Sequence, residues 1–171
     1  NLENEVDEFQ ISLLHYAAKY GNLAVLDFML NNNYNQFEEE EDDERKNILA
    51  KSFDVNAKDD EKMTPLHYAV KYRRYETALV LLCHPKIDAN AKNLNGWTPL
   101  HFAVNSKNEE MVKLLLEKSR ADPNAKNNSL VSPSLMAAQM HLDDIKKLFV
   151  LTSSLRPQTT PNVLRNRPLT G

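Results

Sequence analysis

The side chains most able to do chemistry are three histidines that share one local sequence. His15, His67 and His101 each follow a leucine and precede an aromatic residue and an alanine. Imidazoles can bind metal or transfer protons near neutral pH. Equivalent residues on stacked helices stand about 10 Å apart, whereas zinc ligands need ~2 Å to a shared ion. We therefore interpret the three histidines as structural groups that bond to the backbone of neighbouring loops.

Other nucleophiles and ligands give no catalytic pattern. The lone Cys83 lies on an apolar stretch beside His84, and adjacent helical residues do not face each other. We expect Cys83 to be a small buried core residue rather than a nucleophile. The chain has only 3 glycines, so the glycine-rich loops that cradle phosphates are absent from the sequence. The residues predict no enzyme activity, no metal site and no cofactor.

The elements that hold these residues repeat along the chain. The sequence TPLHYAV at residues 64–70 recurs 34 residues later as TPLHFAV, and degraded copies occupy residues 12–18 and 132–138. A second block, Asp-x-Asn-Ala-Lys, occurs at residues 54–58, 88–92 and 122–126. Two independent blocks with one period indicate a repeat architecture.

Each unit reads as a helix pair followed by a loop. A Thr or Ser before Pro is typical of a helix start, because the hydroxyl accepts from free amides and proline needs no partner at the first position. Apolar residues at helical spacing predict second helices at 23–30, 77–83, 110–117 and 143–151. The Asp-x-Asn-Ala-Lys blocks predict extended fingers between the pairs. A single pair cannot bury its apolar face, but a stack of pairs can.

The chain resembles the ankyrin repeat family, whose hallmark is Thr-Pro-Leu-His-x-Ala in a repeat of about 33 residues. The resemblance implies an all-α solenoid of stacked helix-turn-helix units with extended finger loops. Glycine between the two helices survives as Gly21, but Arg73, Lys107 and His141 replace it elsewhere. If their φ stays positive, each stores strain. The last copy reads as an atypical terminal cap.

The expected organisation is an acidic lead-in at 1–9, a repeat domain at 10–151 and a flexible proline- and arginine-containing tail at 152–171. The repeats are placed at about 10–31, 62–86, 96–120 and 130–151. An insertion at 31–52 carries seven consecutive acids at 38–44. We read it as a solvated loop, with an acidic lid or a separate partner site as the alternative.

The resemblance implies a concave surface, made by finger tips and first helices, that binds a protein or peptide partner. The predicted partner-binding residues are Lys19, Tyr20, Lys58, Met63, Lys71, Tyr72, Lys92, Leu94, Asn95, Trp97, Asn105, Ser106 and Lys126, with Gln139 and Met140 in the same surface. Trp97 and Tyr72 carry most weight, because exposed aromatic residues are enriched in binding hot spots. The lysines favour an acidic or phosphorylated partner. Alternatively, they only keep the tips soluble.

Three residues are candidate modification sites. Asn90 and Asn124 lie in a context that resembles asparagines hydroxylated in ankyrin repeats, although the same residue is a standard finger residue that bonds the turn. Thr159 lies in a stretch that resembles an adaptor-binding phosphothreonine motif.

The functional prediction is an adaptor, targeting or inhibitory module. The alternatives are the substrate-recognition domain of a larger enzyme or host-directed effector, and an inhibitor that masks a transcription factor. No apolar run approaches the ~18 residues of a membrane span, and a pI of about 6.0 argues against nucleic acid. We expect a cytoplasmic protein, with the nucleus, or the host cytoplasm for a secreted effector, as alternatives.

Overall fold

The computed structural model describes residues 11–31 and 54–155, which form four helix pairs and no strands. The helices are α1 (Leu13–Tyr20), α2 (Leu23–Asn31), α3 (Pro65–Lys71), α4 (Tyr75–Cys83), α5 (Pro99–Asn105), α6 (Glu109–Lys118), α7 (Pro133–Gln139) and α8 (Asp143–Leu155). First helices pack on first helices and second helices on second helices, so the pairs form a solenoid.

The Thr-Pro-x-His sequence starts the first helices through a reciprocal cap. The Thr64 hydroxyl lies 2.8 Å from Nδ1 of His67, and the Thr64 amide donates to the same nitrogen at 3.1 Å. Thr98 and His101 repeat this arrangement at 2.8 Å and 3.1 Å. The histidine takes the place that Glu or Gln holds in a capping box. The predicted helix starts at Thr64 and Thr98 are therefore confirmed, but the part played by the histidine ring in the cap was not predicted.

The turn between the two helices keeps one geometry in every repeat. Gly21 has φ 73°, and the residues at its equivalent positions have φ 57° (Arg73), 53° (Lys107) and 55° (His141). The residue after each turn returns a backbone bond to the first helix, as from Arg74 to Ala69 at 2.8 Å. The φ angle is thus positive at all three non-glycine positions, at a cost of about 1 kcal/mol for each residue.

Small residues on the first helices let neighbouring pairs approach closely. Ala69 and Val70 on α3 and Ala103 and Val104 on α5 are completely buried. Leucines from both helices of the first three pairs are buried in this core, such as Leu66 with Leu81 and Leu100 with Leu115. One continuous apolar core therefore runs through the described repeats.

The fingers are tied to one another by asparagines. Asp88 first makes a tight turn, in which its carboxylate accepts from the Asn90 amide at 2.9 Å. The Asn90 side chain then donates to Arg120 O and accepts from the Asp122 amide, both at 2.8 Å. Asn56 makes the same pair of bonds to Lys86 and Asp88 one repeat earlier. The repeated Asp-x-Asn block is thus an inter-repeat clamp.

One predicted core position is wrong, and several helix ends shift. Cys83 is exposed, because it is the last residue of α4 and lies on the outer side of that helix. The second helices α4 and α6 begin two and one residues earlier than predicted, and α8 extends to Leu155.

Candidate partner-binding surface

The three histidines are structural, as predicted. Their Nε2 atoms bond carbonyls of the next finger: His15 to Met63 at 3.0 Å, His67 to Trp97 at 3.1 Å and His101 to Val131 at 3.1 Å. All three rings are buried, and burial lowers the pKa of His67 to about 4 and lowers that of His101. Within residues 11–31 and 54–155, no group of His, Cys, Asp or Glu could hold a metal ion.

One face of the first helices lies on the same side as the fingers. The Tyr68 hydroxyl on α3 donates to the finger residue Asp59 at 2.7 Å. On α5 the Phe102 ring lies edge-on to Trp97, with 5.1 Å between ring centroids. These contacts define a surface on which first helices and fingers meet.

Four tyrosines and two lysines group at the N-terminal end of this surface. Tyr16 stacks on Tyr20 within α1 at 6.3 Å, and Tyr68 stacks on Tyr72 within α3 at 6.1 Å. Lys19 stands between the two stacks, and Lys71 neighbours the second. We call this group the tyrosine–lysine cluster: Tyr16, Lys19, Tyr20, Tyr68, Lys71 and Tyr72.

The Lys19 ammonium links the two halves of the tyrosine–lysine cluster. Its Nζ lies 5.3 Å from the Tyr20 ring centroid and 5.5 Å from that of Tyr72. Lys71 Nζ lies 5.9 Å from the Tyr72 ring. Ammonium groups at this distance from aromatic faces gain about 0.5–1 kcal/mol each at exposed sites. These contacts therefore favour lysine conformations in which the ammonium groups lie over the rings.

On the first helices, the lysines of this surface lie in the first two repeats. No ion pair between described residues involves Lys19 or Lys71. At the positions equivalent to the two lysines, the third and fourth repeats carry neutral Asn105 and Gln139, both exposed. Ser106 and Met140, at the positions of Tyr20 and Tyr72, are half-buried. Among the first helices in the described part of the chain, lysines and exposed aromatic rings thus coincide only on α1 and α3.

The finger lysines make a weaker contribution than the sequence suggested. Lys58 is exposed, but exposed Asp60 and Glu61 stand on the same finger and offset its charge. Lys92 and Lys126 are also exposed, and Lys92 Nζ donates to Lys126 O at 2.7 Å. The predicted lysine groove is therefore not uniformly positive along the fingers.

The finger tips pack tip to tip. The Leu94 amide donates to Glu61 O at 2.9 Å, and the Asn128 amide donates to Asn95 O at 3.1 Å. A Cβ added to Gly96 would lie 2.8 Å from the Asn128 backbone nitrogen, and Gly96 has φ 73°, so a side chain there would be strained. Leu94 and Asn95 are exposed on this rigid edge, as the concave-surface prediction requires of them.

Two other predicted site residues are less accessible. Met63 is fully buried, because its side chain lies under the fingers and receives a bond from Asn93. It therefore cannot line an open groove, and the sequence interpretation was wrong for this residue. Trp97 is half-buried: its ring packs against Phe102, and its carbonyl accepts from His67.

The sequence interpretation missed residues that shape the cluster. Tyr16 and Tyr68 support the exposed tyrosines from four residues earlier, a spacing that places them on the same helix face. Arg74 Nε donates to Lys19 O at 3.0 Å, and Arg73 donates to Ser106 O at 2.7 Å. The two arginines join adjacent repeats beside the cluster, and no local sequence pattern marks such a contact.

The modification candidates differ in their surroundings. Both polar atoms of the Asn90 side chain are engaged in the inter-repeat clamp. Asn124 is exposed, and its Oδ1 accepts from Ser134 at 3.1 Å. Thr159, the acidic run at 38–44 and most of the predicted tail lie outside the described residues.

Comparison with known protein families agrees with the geometry. The family described as "Ankyrin repeats (many copies)" matches residues 48–103, and two models described as "Ankyrin repeat" match residues 95–128 and 9–37. The chain belongs to the ankyrin repeat family, whose members generally mediate protein–protein interaction and are typically not enzymes. No curated protein matches the chain. None of the helices in the described ranges is long and apolar enough to cross a membrane.

Proposed function

We propose that this protein is an adaptor, targeting or inhibitory module that binds an acidic segment of a protein partner through the tyrosine–lysine cluster. The observation that carries the proposal is the Lys19 ammonium held between two exposed rings, 5.3 Å from Tyr20 and 5.5 Å from Tyr72. Tyr20 is 63% exposed and Tyr72 is 39% exposed, so both rings can be covered by a ligand.

The cluster has the properties of a binding hot spot. Tyrosine supplies a large contact area with few rotatable bonds, so little entropy is lost when a partner covers it. Stacking on Tyr16 and Tyr68 restricts the exposed rings further. Affinity depends on such preorganisation more than on total buried area. A partner segment would therefore bind to side chains that are already ordered, with little loss of conformational entropy.

The charge of the cluster selects the chemistry of the partner. The ammonium groups of Lys19 and Lys71 lie on one face. Among the described residues, no carboxylate forms an ion pair with either of them. A carboxylate or phosphate that reaches Lys19 or Lys71 would form a charge-assisted hydrogen bond. We therefore favour an acidic or phosphorylated segment, whose association would be steered by opposite charge. Basic and neutral segments would lack this contact.

The proposal is tested with two pools of random peptides of equal length, one rich in Asp and Glu and one rich in Lys and Arg. We expect the immobilised chain to retain the acidic pool, with retention falling as salt screens the charges. The double variant Lys19→Gln/Lys71→Gln should lose at least tenfold in retention, since it removes both cations. Lys113→Gln is the matched control, because Lys113 is exposed on α6, outside the cluster.

Two results would contradict the proposal. Equal retention of the acidic pool by the double variant would place binding elsewhere. Preferential retention of the basic pool would favour the acidic run at 38–44 as the partner site and support the transcription-factor inhibitor alternative.

A further inference from the structure

The turns between paired helices carry cations at positions where the backbone is strained. Arg73 and Lys107 have φ of 57° and 53°, and Gly21, at the equivalent position of the first repeat, has φ 73°. Glycine adopts this conformation without steric cost, whereas any other side chain strains the backbone. Strained residues cluster at functional sites. The cations at these two turns therefore need a reason beyond the geometry of the turn.

Two arginines at the second turn lie across the junctions with both neighbouring repeats. Arg74 Nε donates to Lys19 O in the first repeat at 3.0 Å, and Arg73 Nη2 donates to Ser106 O in the third at 2.7 Å. A guanidinium group has five N–H donors, so both arginines keep donors for another acceptor. Lys107 directly follows Ser106, and all three cations are exposed. We call Arg73, Arg74 and Lys107 the turn row.

The acids nearest in sequence leave the turn row unpaired. Glu76, Glu109 and Glu110 lie in the first turns of α4 and α6 and are exposed. Among the described residues, none of them forms an ion pair with the turn row. The Lys107 side chain also makes no hydrogen bond to a described residue. The fold therefore gains no polar contact from a lysine at this strained position.

The turn row continues the tyrosine–lysine cluster along one edge of the stack. Tyr72 directly precedes Arg73, and Arg74 bonds the backbone of Lys19, whose ammonium lies between two rings of the cluster. Cations therefore follow one another from the first repeat to the third. In the fourth repeat the equivalent turn holds His141, so the permanent charges end at the third.

We propose that the turn row binds an extended acidic segment of a protein in which every third residue carries a carboxylate. Stacked helices stand about 10 Å apart, which sets the spacing of equivalent turns. A segment in the polyproline II conformation has three residues per turn and presents every third residue on one face, about 9 Å apart. Successive carboxylates would then form charge-assisted hydrogen bonds with successive cations.

The inference rests on the proposed function, because the segment that covers the tyrosine–lysine cluster is the one that continues over the turn row. It adds the path of the segment, its conformation and the spacing of its acids. A compact cluster of acids would meet the cations of one repeat only.

The proposal is tested by NMR titration of the full chain with two synthetic peptides that each contain three Asp and six Pro, with both ends blocked. One peptide has Asp at every third position, and the other has its three Asp together at one end. Proline favours the polyproline II conformation in both. We expect the spaced peptide to bind at least threefold more tightly, and to shift the amide signals of Arg73, Arg74 and Lys107.

Lys107→Gly separates binding from stability. It should lower the affinity for the spaced peptide at least threefold and leave the urea midpoint of unfolding unchanged or higher, because glycine relieves the strain. Lys62→Gly is the matched control. Lys62 is also exposed with φ 57°, but it lies on a finger beside Asp60 and Glu61. The same substitution there should leave the binding of both peptides unchanged.

Three results would overturn the proposal. They are equal affinity of the wild type for the two peptides, equal affinity of the wild type and Lys107→Gly for the spaced peptide, and a wild type that binds neither peptide.

The double variant Lys19→Gln/Lys71→Gln distinguishes failure of this proposal from failure of the proposed function. Weaker binding in the double variant but not in Lys107→Gly would refute the turn row and support the tyrosine–lysine cluster. Weaker binding in Lys107→Gly but not in the double variant would support the turn row as an acidic site and contradict the cluster.

Discussion

At the scale of single residues, each buried histidine serves two neighbours at once. Nδ1 of His67 accepts from the amide that begins its own helix, and Nε2 reaches Trp97 O in the next finger. This pattern requires the neutral ring with its proton on Nε2. Protonation would turn Nδ1 into a donor and place a charge in a desolvated site. Burial lowers the pKa of His67 to about 4 for this reason.

We predict that acid destabilises the protein through His67. Below pH 6.5 the His67 ring is protonated in the unfolded chain, whereas it stays neutral in the folded chain down to about pH 4. The free energy of unfolding therefore falls as the pH drops through this window. Between pH 7 and pH 5 the contribution of His67 to this loss is about 2 kcal/mol. Urea unfolding at both pH values measures it, with His101 adding a loss of the same sign.

The variant His67→Asn separates this contribution from general acid sensitivity. It should reduce the difference between the free energies of unfolding at pH 7 and pH 5, whatever its effect on stability at either pH. His141→Asn is the control, because that side chain is exposed and asparagine tolerates its positive φ. An unchanged pH difference in His67→Asn would contradict the assigned role.

At the scale of elements, the asparagine clamp connects each finger to the next. The Asn90 side chain bonds backbone groups of Arg120 and Asp122, some 30 residues away in sequence. Asn124 occupies the same position in the last described finger, where its Oδ1 instead meets the Ser134 hydroxyl. The two asparagines therefore give a matched pair within one molecule.

We predict that Asn90→Ala destabilises the protein more than Asn124→Ala. Loss of the two bonds to the next finger should cost about 2 kcal/mol at Asn90. The change at Asn124 should cost about 0.5 kcal/mol, since one exposed hydroxyl bond is lost. Chemical unfolding of the two variants measures the difference, and equal losses would show that the clamp is not what stabilises the fingers.

The elements could be predicted from sequence where their cause is local. Thr64, Pro65 and His67 start a helix through contacts within four residues, so the repeated block indicated the helix starts directly. Positive φ at Arg73 followed from its alignment with Gly21. The burial of Met63 and the exposure of Cys83 depend on how neighbouring repeats pack. The spacing of residues in the sequence does not determine that packing.

The candidate surface, too, could be predicted only where its cause is local. Tyr20 and Tyr72 could be predicted from their repeat positions, and both are exposed. Their grouping around Lys19 could not, because the Tyr72 ring comes from the following repeat, beyond the insertion. The sequence shows that Asp60 and Glu61 follow Lys58. Only the structure shows that all three are exposed on one finger, where the two acids offset the positive charge of Lys58.

At the scale of the whole molecule, the stack is a preformed surface with different chemistry along its length. The tyrosine–lysine cluster lies in the first two repeats, the equivalent first-helix positions of the last two carry no charge, and the last helix pair exposes the apolar Leu135 and Val150. Finger clamps and arginine contacts hold the repeats together. A ligand would therefore select one part of the solenoid by its charge and aromatic content.

The most direct test of this account compares aromatic residues inside and outside the cluster. An acidic peptide selected on the wild-type chain is titrated by calorimetry into wild type, Tyr20→Ala/Tyr72→Ala and Phe28→Ala. Phe28 on α2 is 63% exposed, as is Tyr20, but lies on a second helix. We predict at least tenfold weaker binding for the double variant and unchanged binding for Phe28→Ala. Equal affinity in the wild type and the double variant would contradict the assignment of the partner site to the tyrosine–lysine cluster.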